Sequence, residues 1–438
     1  MQTSPRLTVG PHKPRSGVAG SSIVPKSAKP RASSGQARRH PCTEGSQFFA
    51  TAAKGIEPIV ADELRALGAA NVKEARGGAS FSGSLATGYR ACLWLRTANR
   101  VLMPLARFPA PDADRLYTAV NRMPWENDLS PDGTLAVDFT GTNANIVHTQ
   151  FGAQRVKDAI VDRFRERSGR RPSVDLDQPD LRINVHLHRD IATVGVDLTG
   201  DSLHQRGYRT RGVAAPLKET LAAALLLKCG WPEIAKQGGV FVDPMCGSGT
   251  LAIEAAFIAG GVAPGLLRTR WGFSGWRKHD AQLWEHLLQQ AHQRRDAGRG
   301  GITKILGFDH DENAIEATRV NVERAGLADI VQFERRALAE NVLSASLSPG
   351  LAVTNPPYGE RLGEAAQLGP LYAELGQWLS SQCTGWRAGV ITDNPDLAKQ
   401  IGIRARKINT FFNGALECRL LQFDVRPEWF MHAARTAP

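Results

Sequence analysis

From about residue 210 onward, short apolar runs alternate with helix-length stretches, and no other feature of the chain limits its fold as tightly. The runs are 239–242, 305–308, 330–334, 351–354, 388–392 and 416–423. A strand covered on both faces reads as a continuous apolar run, and strands separated by helices pair in parallel through crossovers. The pattern predicts a doubly wound, mostly parallel α/β sheet over 203–430.

The first half follows a different rhythm. Apolar spacing predicts a helix over 57–67, with Ile59, Val60, Leu64 and Leu67 on one face. A short strand at 79–81 and a helix over 84–94 follow, then strands at 101–108 and 135–141. The stretch 145–167 reads as one helix, stopped by Gly169 and Pro172. Alternation over 181–187 and 191–198 predicts a hairpin turning at 188–190. This is an α+β arrangement, divided as 47–110 and 111–202. Residues 1–46 hold few large apolar side chains, too little surface to offset the entropy of ordering. They are expected to form a disordered basic tail, with 431–438 as a second tail.

The chain of 438 residues is 42% hydrophobic and 22% charged, a globular composition. No apolar run approaches the roughly 20 residues needed to span a bilayer. No apolar segment and cleavage site follow the basic start, so a cytoplasmic protein is expected. Six scattered cysteines form no CxxC pair, and no metal site is expected. The net charge of +11 favours a polyanionic partner, but eight basic residues against one acid within 1–46 supply most of it.

Three pieces carry chemistry. The first is Asp243-Pro244-Met245-Cys246-Gly247-Ser248-Gly249-Thr250, an apolar strand running into a glycine-rich turn and a helix. Ligands of open α/β sheets sit at the carboxyl ends of strands, and glycines let the backbone approach them. The pattern is neither GxGxxG nor a P-loop, which disfavours a dinucleotide or a triphosphate. The second is Asp309 at the end of the next strand, placed either to accept both hydroxyls of a ribose or to cap the helix after it.

The third piece, Asn355-Pro356-Pro357-Tyr358, follows the strand 351–354. Two prolines end the strand and stiffen the backbone. The Asn355 oxygen and the Pro356 carbonyl can then face one small site and accept the two N–H bonds of an exocyclic amino group. Held so, its lone pair turns toward an electrophilic methyl, which is catalysis by orientation and fixed dipoles. Tyr358 offers a face on which a base can stack.

In this order, the motifs resemble those of class I methyltransferases that carry an N-terminal THUMP RNA-binding domain, the 23S rRNA guanine-N2 enzymes among them. The likeness also rests on Leu203-His204-Gln205-Arg206-Gly207-Tyr208-Arg209, on Pro216-Leu217-Lys218-Glu219-Thr220, on Arg270-Trp271-Gly272-Phe273, and on Gly359-Glu360-Arg361-Leu362. It implies a ferredoxin-like segment and a THUMP fold ahead of a Rossmann-like, seven-stranded methyltransferase domain. It implies S-adenosylmethionine as cofactor, lined by Asp243, Pro244, Cys246, Gly247, Gly249 and Thr250, with Asp309 and His310 at its ribose. Lys218, Glu219 and Thr220 would stand beside its methionine end.

The substrate implied is RNA, either 23S rRNA or a pre-50S particle, with guanine N2 held by Asn355 to Tyr358. Arg155, Lys157, Arg206, Arg209 and Arg361 are candidate RNA contacts; a solvated face is the other reading of the basic helix. A tRNA guanine-N2 enzyme and a non-catalytic ribosome-assembly factor are the rival readings. Many relatives carry an acid for the adenine amino group where this chain has Ala337, so adenine is expected to be held by backbone or stacking. No second methyltransferase domain follows, so one reaction is expected. Trp271, Phe273 and Trp276 are expected to pack rather than stay exposed.

Overall fold

The computed structural model describes residues 45–209, 217–358 and 364–431. The expected tails therefore fall almost wholly outside the described residues, although Ser46 already opens the first strand. Among the described residues, no helix is long and apolar enough to cross a membrane.

The strands before residue 200 are β1 (Ser46–Thr51), β2 (Ala70–Ala75), β3 (Gly78–Gly83), β4 (Arg100–Pro109), β5 (Thr134–Thr140), β6 (Ser173–Val174), β7 (Leu181–His188) and β8 (Ile191–Asp197). They join into one sheet of order β2-β3-β1-β4-β8-β7-β5-β6. The antiparallel pairing of β4 with β8, from Leu102↔Asp197 to Pro109↔Ile191, makes the sheet continuous. The hairpin β7–β8 forms where alternation predicts it. Arg189 and Asp190 both take positive φ, 47° and 59°, which suits a two-residue turn.

Helices α1 (Glu57–Ala66), α2 (Leu85–Trp94), α3 (Ala113–Asn121) and α4 (Thr149–Ser168) accompany this sheet. On α1, Ile59, Val60, Ala61 and Leu64 are buried, the face that the spacing predicts. α4 ends at Gly169 in the left-handed conformation. Its cations are all paired. Arg155 binds Asp114 at 2.8 Å and lies over the Tyr117 ring; Lys157 pairs with Asp158; Arg163 and Arg167 share Glu126; Arg165 pairs with Asp162. The basic helix is thus a paired face, and Arg155 and Lys157 reach RNA only by giving up these partners.

The second half holds β9 (Phe241–Asp243), β10 (Ile305–Asp309), β11 (Val331–Arg335), β12 (Leu351–Thr354), β13 (Arg387–Thr392), β14 (Lys407–Asn413) and β15 (Leu416–Asp424). Among the described residues they form a seven-stranded sheet of order β11-β10-β9-β12-β13-β15-β14. β9 to β13 run parallel, while β15 pairs antiparallel with both β13 and β14. The helices are α5 (Glu219–Lys228), α6 (Trp231–Lys236), α7 (Thr250–Ala259), α8 (Ala281–Arg299), α9 (Glu312–Arg324), α10 (Glu364–Gln382) and α11 (Pro395–Gln400). The strand order reverses between β9 and β12, which opens a crevice at their carboxyl ends.

The segment between α7 and α8 locks onto the first half. Trp271, Phe273 and Trp276 are buried, as expected. Phe273 lies 4.4 Å from Tyr89 of α2, ring to ring, and Trp271 lies 5.2 Å from Trp284 of α8. The Trp276 indole N–H donates to Asp128 at 2.8 Å. Phe273 and Trp276 thus seat the second half on the first, with Trp271 packed beside Phe273.

Candidate active site

Asp243, Asp309 and Asn355 stand at the ends of β9, β10 and β12, so the sheet gathers three sequence-distant motifs at one rim. The glycine-rich turn is held from several sides. The Gly247 N–H donates to Asp309 Oδ2 at 2.9 Å, and Cys246 N–H to the Phe308 carbonyl at 2.8 Å. From α9, Thr318 Oγ1 donates to the Gly247 carbonyl and Asn321 Nδ2 to the Ser248 carbonyl. Gly247 and Gly249 have φ of 54° and 78°. A Cβ on Gly249 would lie 2.9 Å from Thr318 Cγ2, whereas one on Gly247 would meet open space. Gly249 is thus fixed by packing, and Gly247 presents bare backbone to the crevice.

Asp309 holds the glycine-rich turn and does not cap the helix after it. Oδ2 accepts from Gly247 and Oδ1 from the Asp311 N–H at 3.0 Å, and each oxygen keeps a lone pair for a ligand. Helix α9 is capped instead by Asp311, which accepts from Asn313. His310 is exposed next to it. Asp243 is buried and accepts from the Met245 N–H at 3.1 Å. Burial pushes its carboxyl up to about 7, the neighbouring Asp309 adds to the rise, and the Met245 hydrogen bond opposes it. Pro244, Cys246 and Thr250 are buried around the same turn.

Glu219 and Thr220 open α5 and are buried. Arg209 faces Glu219 at 3.1 Å and donates to Thr250 Oγ1 at 2.7 Å and to the Leu217 carbonyl. It is a strut tying α5 to the head of α7, and its expected RNA contact is corrected accordingly. Arg206 calls for the same correction. It is buried, faces Glu254 of α7 at 3.2 Å, and donates to the carbonyls of Leu203 and Arg96. A guanidinium so enclosed does not reach a phosphate without giving up Glu254. Arg361 lies outside the described residues.

Asn355 follows β12, with Pro356 buried and Pro357 exposed. Asn355 Oδ1 is buried and has no hydrogen-bond partner among the described residues. Tyr358 is half-buried beside Asn413 and Cys418, and burial raises its phenol above the ordinary value. Asn413 ends β14 at the turn to β15, where Gly414 has φ 68°. Sequence reading missed Asn413, yet the pair Asn413-Gly414 is itself a hairpin signal. A cleft of about 1120 Å³ opens beside Tyr358 and Asn413, and Lys218 and Glu219 also line it.

A family model described as an RMKL-like methyltransferase domain matches residues 206–422. A THUMP model matches 110–197 and an RlmL ferredoxin-like model 47–102. A putative methyltransferase solved in complex with SAH is 33% identical to this chain, with a TM-score of 0.77; the match covers 87% of this chain and 98% of that one. The chain belongs to the THUMP-containing methyltransferases.

Two curated members of that family are ribosomal RNA large subunit methyltransferases K/L. The one from Syntrophotalea carbinolica is 57% identical over 389 residues, 88% of this chain and 55% of its own length. The one from Methylococcus capsulatus is 52% identical over 383 residues, 87% and 52% of the two lengths. The chain spans about half the length of these relatives. A structure from Listeria monocytogenes, named as a predicted N6-adenine-specific DNA methylase, is 33% identical with a TM-score of 0.76, over 87% of this chain and 96% of its own. In this member of the THUMP-containing methyltransferases, Ala337 heads the short turn Leu338–Glu340, while Arg336 N–H donates to the Asp309 carbonyl and its guanidinium lies over Phe308. This stretch therefore meets Asp309 through its backbone, and the carboxylate of Glu334 pairs with Arg336.

Proposed function

We propose that the chain transfers a methyl group from S-adenosylmethionine to the exocyclic N2 of a guanine in RNA, with 23S rRNA or a pre-50S particle as substrate. The observation that carries this reading is the buried, unpartnered Asn355 Oδ1 at the end of β12, next to a half-buried Tyr358. A buried acceptor without a donor costs about 1–3 kcal/mol, a cost that a substrate N–H relieves.

The crevice fits this cofactor. Gly247 offers open backbone, Asp309 keeps lone pairs for two ribose hydroxyls, and Asp243 is a buried carboxyl for a cationic group. S-adenosylmethionine supplies an electrophilic methyl on a sulfonium sulfur. Asn355 Oδ1 and the Pro356 carbonyl accept the two amino N–H bonds and turn the nitrogen lone pair toward the crevice. Tyr358 stacks on the base once it leaves its helix, a step costing a few kcal/mol. As the N–C bond forms, the methyl–sulfur bond would break and S-adenosylhomocysteine would leave; the amino proton, made acidic by the new bond, passes to water, while Asn355 Oδ1 and the Pro356 carbonyl hold the N–H bonds in place. The paired cations of α4 make shape and backbone contacts the mode of RNA capture expected of the N-terminal half.

The pH dependence follows from Asp243. With its carboxyl near 7, the protonated form favours the ligand-free fold below the ordinary value of 3.8, and this contribution fades as pH rises through about 7. A cationic ligand group prefers the ionised form. Affinity for S-adenosylhomocysteine is therefore expected to climb about tenfold between pH values one unit below and one unit above neutrality, then level off. Calorimetry across that range checks it; a flat profile means that Asp243 does not face the ligand's ammonium.

The function is tested by incubating the full chain with S-adenosylmethionine labelled at the methyl, with unmodified 23S rRNA, tRNA and DNA offered in parallel. Label in N2-methylguanosine from rRNA alone supports the reading. Label in N6-methyladenine from DNA replaces it, and cofactor binding without transfer to any of the three points to an assembly particle.

A further inference from the structure

The cleft beside the candidate active site carries more charge than its hydrogen bonds require. Arg206 and Arg209 face carboxylates, but Arg268 and Arg270 do not spend their donors that way. Arg268 donates to the carbonyls of Thr199, Asp201, Ser202 and Gln205. Arg270 donates to the side-chain oxygen of Gln178 and to the carbonyls of Gln178 and Pro179. Carbonyls satisfy N–H groups without cancelling the positive charge, so the field of both guanidiniums reaches into the cleft. The acids on its wall are Asp177, Asp201 and Glu219, the last already paired with Arg209.

Lys218 adds a cation of another kind. It is exposed on the cleft wall at the head of α5, and among the described residues no hydrogen bond or ion pair engages its ammonium. Asp243, Gly247, Gly249 and Asp309, which form the cofactor crevice, do not line this cleft. His204 is held by Ser202 Oγ, 2.8 Å from Nδ1, which leaves Nε2 for the cleft. Burial, then the charges of Lys218, Arg206, Arg209 and Arg268, push its imidazole down to about 4, so it is neutral near pH 7.

We propose that Lys218 and His204 form a phosphodiester subsite that holds the RNA backbone beside the nucleotide whose base enters the Asn355–Tyr358 pocket, and that Lys218 does not bind the cofactor. This rests on the RNA-methylating reading above and departs from the cofactor role that resemblance suggested for Lys218. The ammonium grips one phosphate oxygen as a point charge, and the imidazole Nε2–H donates to another.

The test compares the full chain with Lys218→Ala, Lys218→Arg and, as a control on the exposed end of α6, Lys236→Ala. Binding of unmodified 23S rRNA is measured over a salt series, and S-adenosylhomocysteine binding by calorimetry. Lys218→Ala is expected to weaken RNA binding about tenfold and to lower the salt slope by about one, with cofactor affinity unchanged. Lys218→Arg should keep the slope, which separates loss of charge from loss of fold. A Lys218→Ala slope equal to that of Lys236→Ala overturns the proposal, as does a loss of cofactor affinity with RNA binding intact. If the unaltered chain binds rRNA with the Lys218-dependent slope yet forms no N2-methylguanosine, the proposed function fails and the subsite stands.

Discussion

Replacing Asn355 by alanine is expected to lower turnover about a hundredfold to a thousandfold while leaving S-adenosylhomocysteine affinity unchanged. The magnitude is that of removing one preorganised dipole from a reacting centre. Asn355 Oδ1 is buried and without a donor among the described residues, and the buried Pro356 fixes the backbone behind it. Alanine removes the acceptor but leaves the crevice at Asp243, Gly247 and Asp309 intact, so cofactor binding and methyl transfer separate. Asn355→Asp restores an acceptor, but its carboxylate lies where burial disfavours charge, and it recovers only part of the rate. Single-turnover transfer of labelled methyl groups measures the effect. Turnover within threefold of the parent (about 0.7 kcal/mol in the barrier) would show that this amide does not hold the reacting amino group.

Arg206→Ala is expected to cost stability rather than chemistry. Its partner Glu254 is fully buried on α7, the helix that follows the glycine-rich turn. Arg206 also donates to the carbonyls of Leu203 and Arg96, the latter from the N-terminal half. Removing one member of a buried pair strands the other, at about 3–5 kcal/mol. For a protein of this size that lowers the unfolding midpoint by roughly 5 °C. Lysine does not rescue it, because one ammonium cannot span two carbonyls and a carboxylate in different directions. The double variant Arg206→Met with Glu254→Gln should recover much of the loss, since no charge is then stranded. Thermal unfolding of the three variants checks this; a single-variant midpoint within about two degrees of the parent would mean that water reaches Glu254.

Both predictions concern residues that the sequence presents within motifs, and it made the position of only one of them legible. Asn355, Asp243 and Asp309 were legible because each ends an apolar run, and strand ends of a doubly wound sheet converge on one rim whatever the rest of the chain does. The hairpin β7–β8 was legible for a similar reason, since alternation and a turn are local properties. β2 was not, because its residues are almost all exposed and carry no alternation. Nor were α3 and β14, which are short and mixed in character.

Tertiary structure alone decided what the charged and aromatic residues do. Arg206 reads as a surface cation in its motif, but Glu254, far along the chain, converts it into a buried tie. The cations of α4 leave RNA contact and a solvated face both open until Asp114 and Glu126 arrive from elsewhere to pair with them. Asn413 comes to line the cleft only because β14 folds back beside Tyr358. The periodicity of a sequence fixes which face of an element turns inward, since that depends on neighbours along the chain. The partner waiting on that face depends on how distant elements meet, and for a charge or a ring the partner is what sets its function.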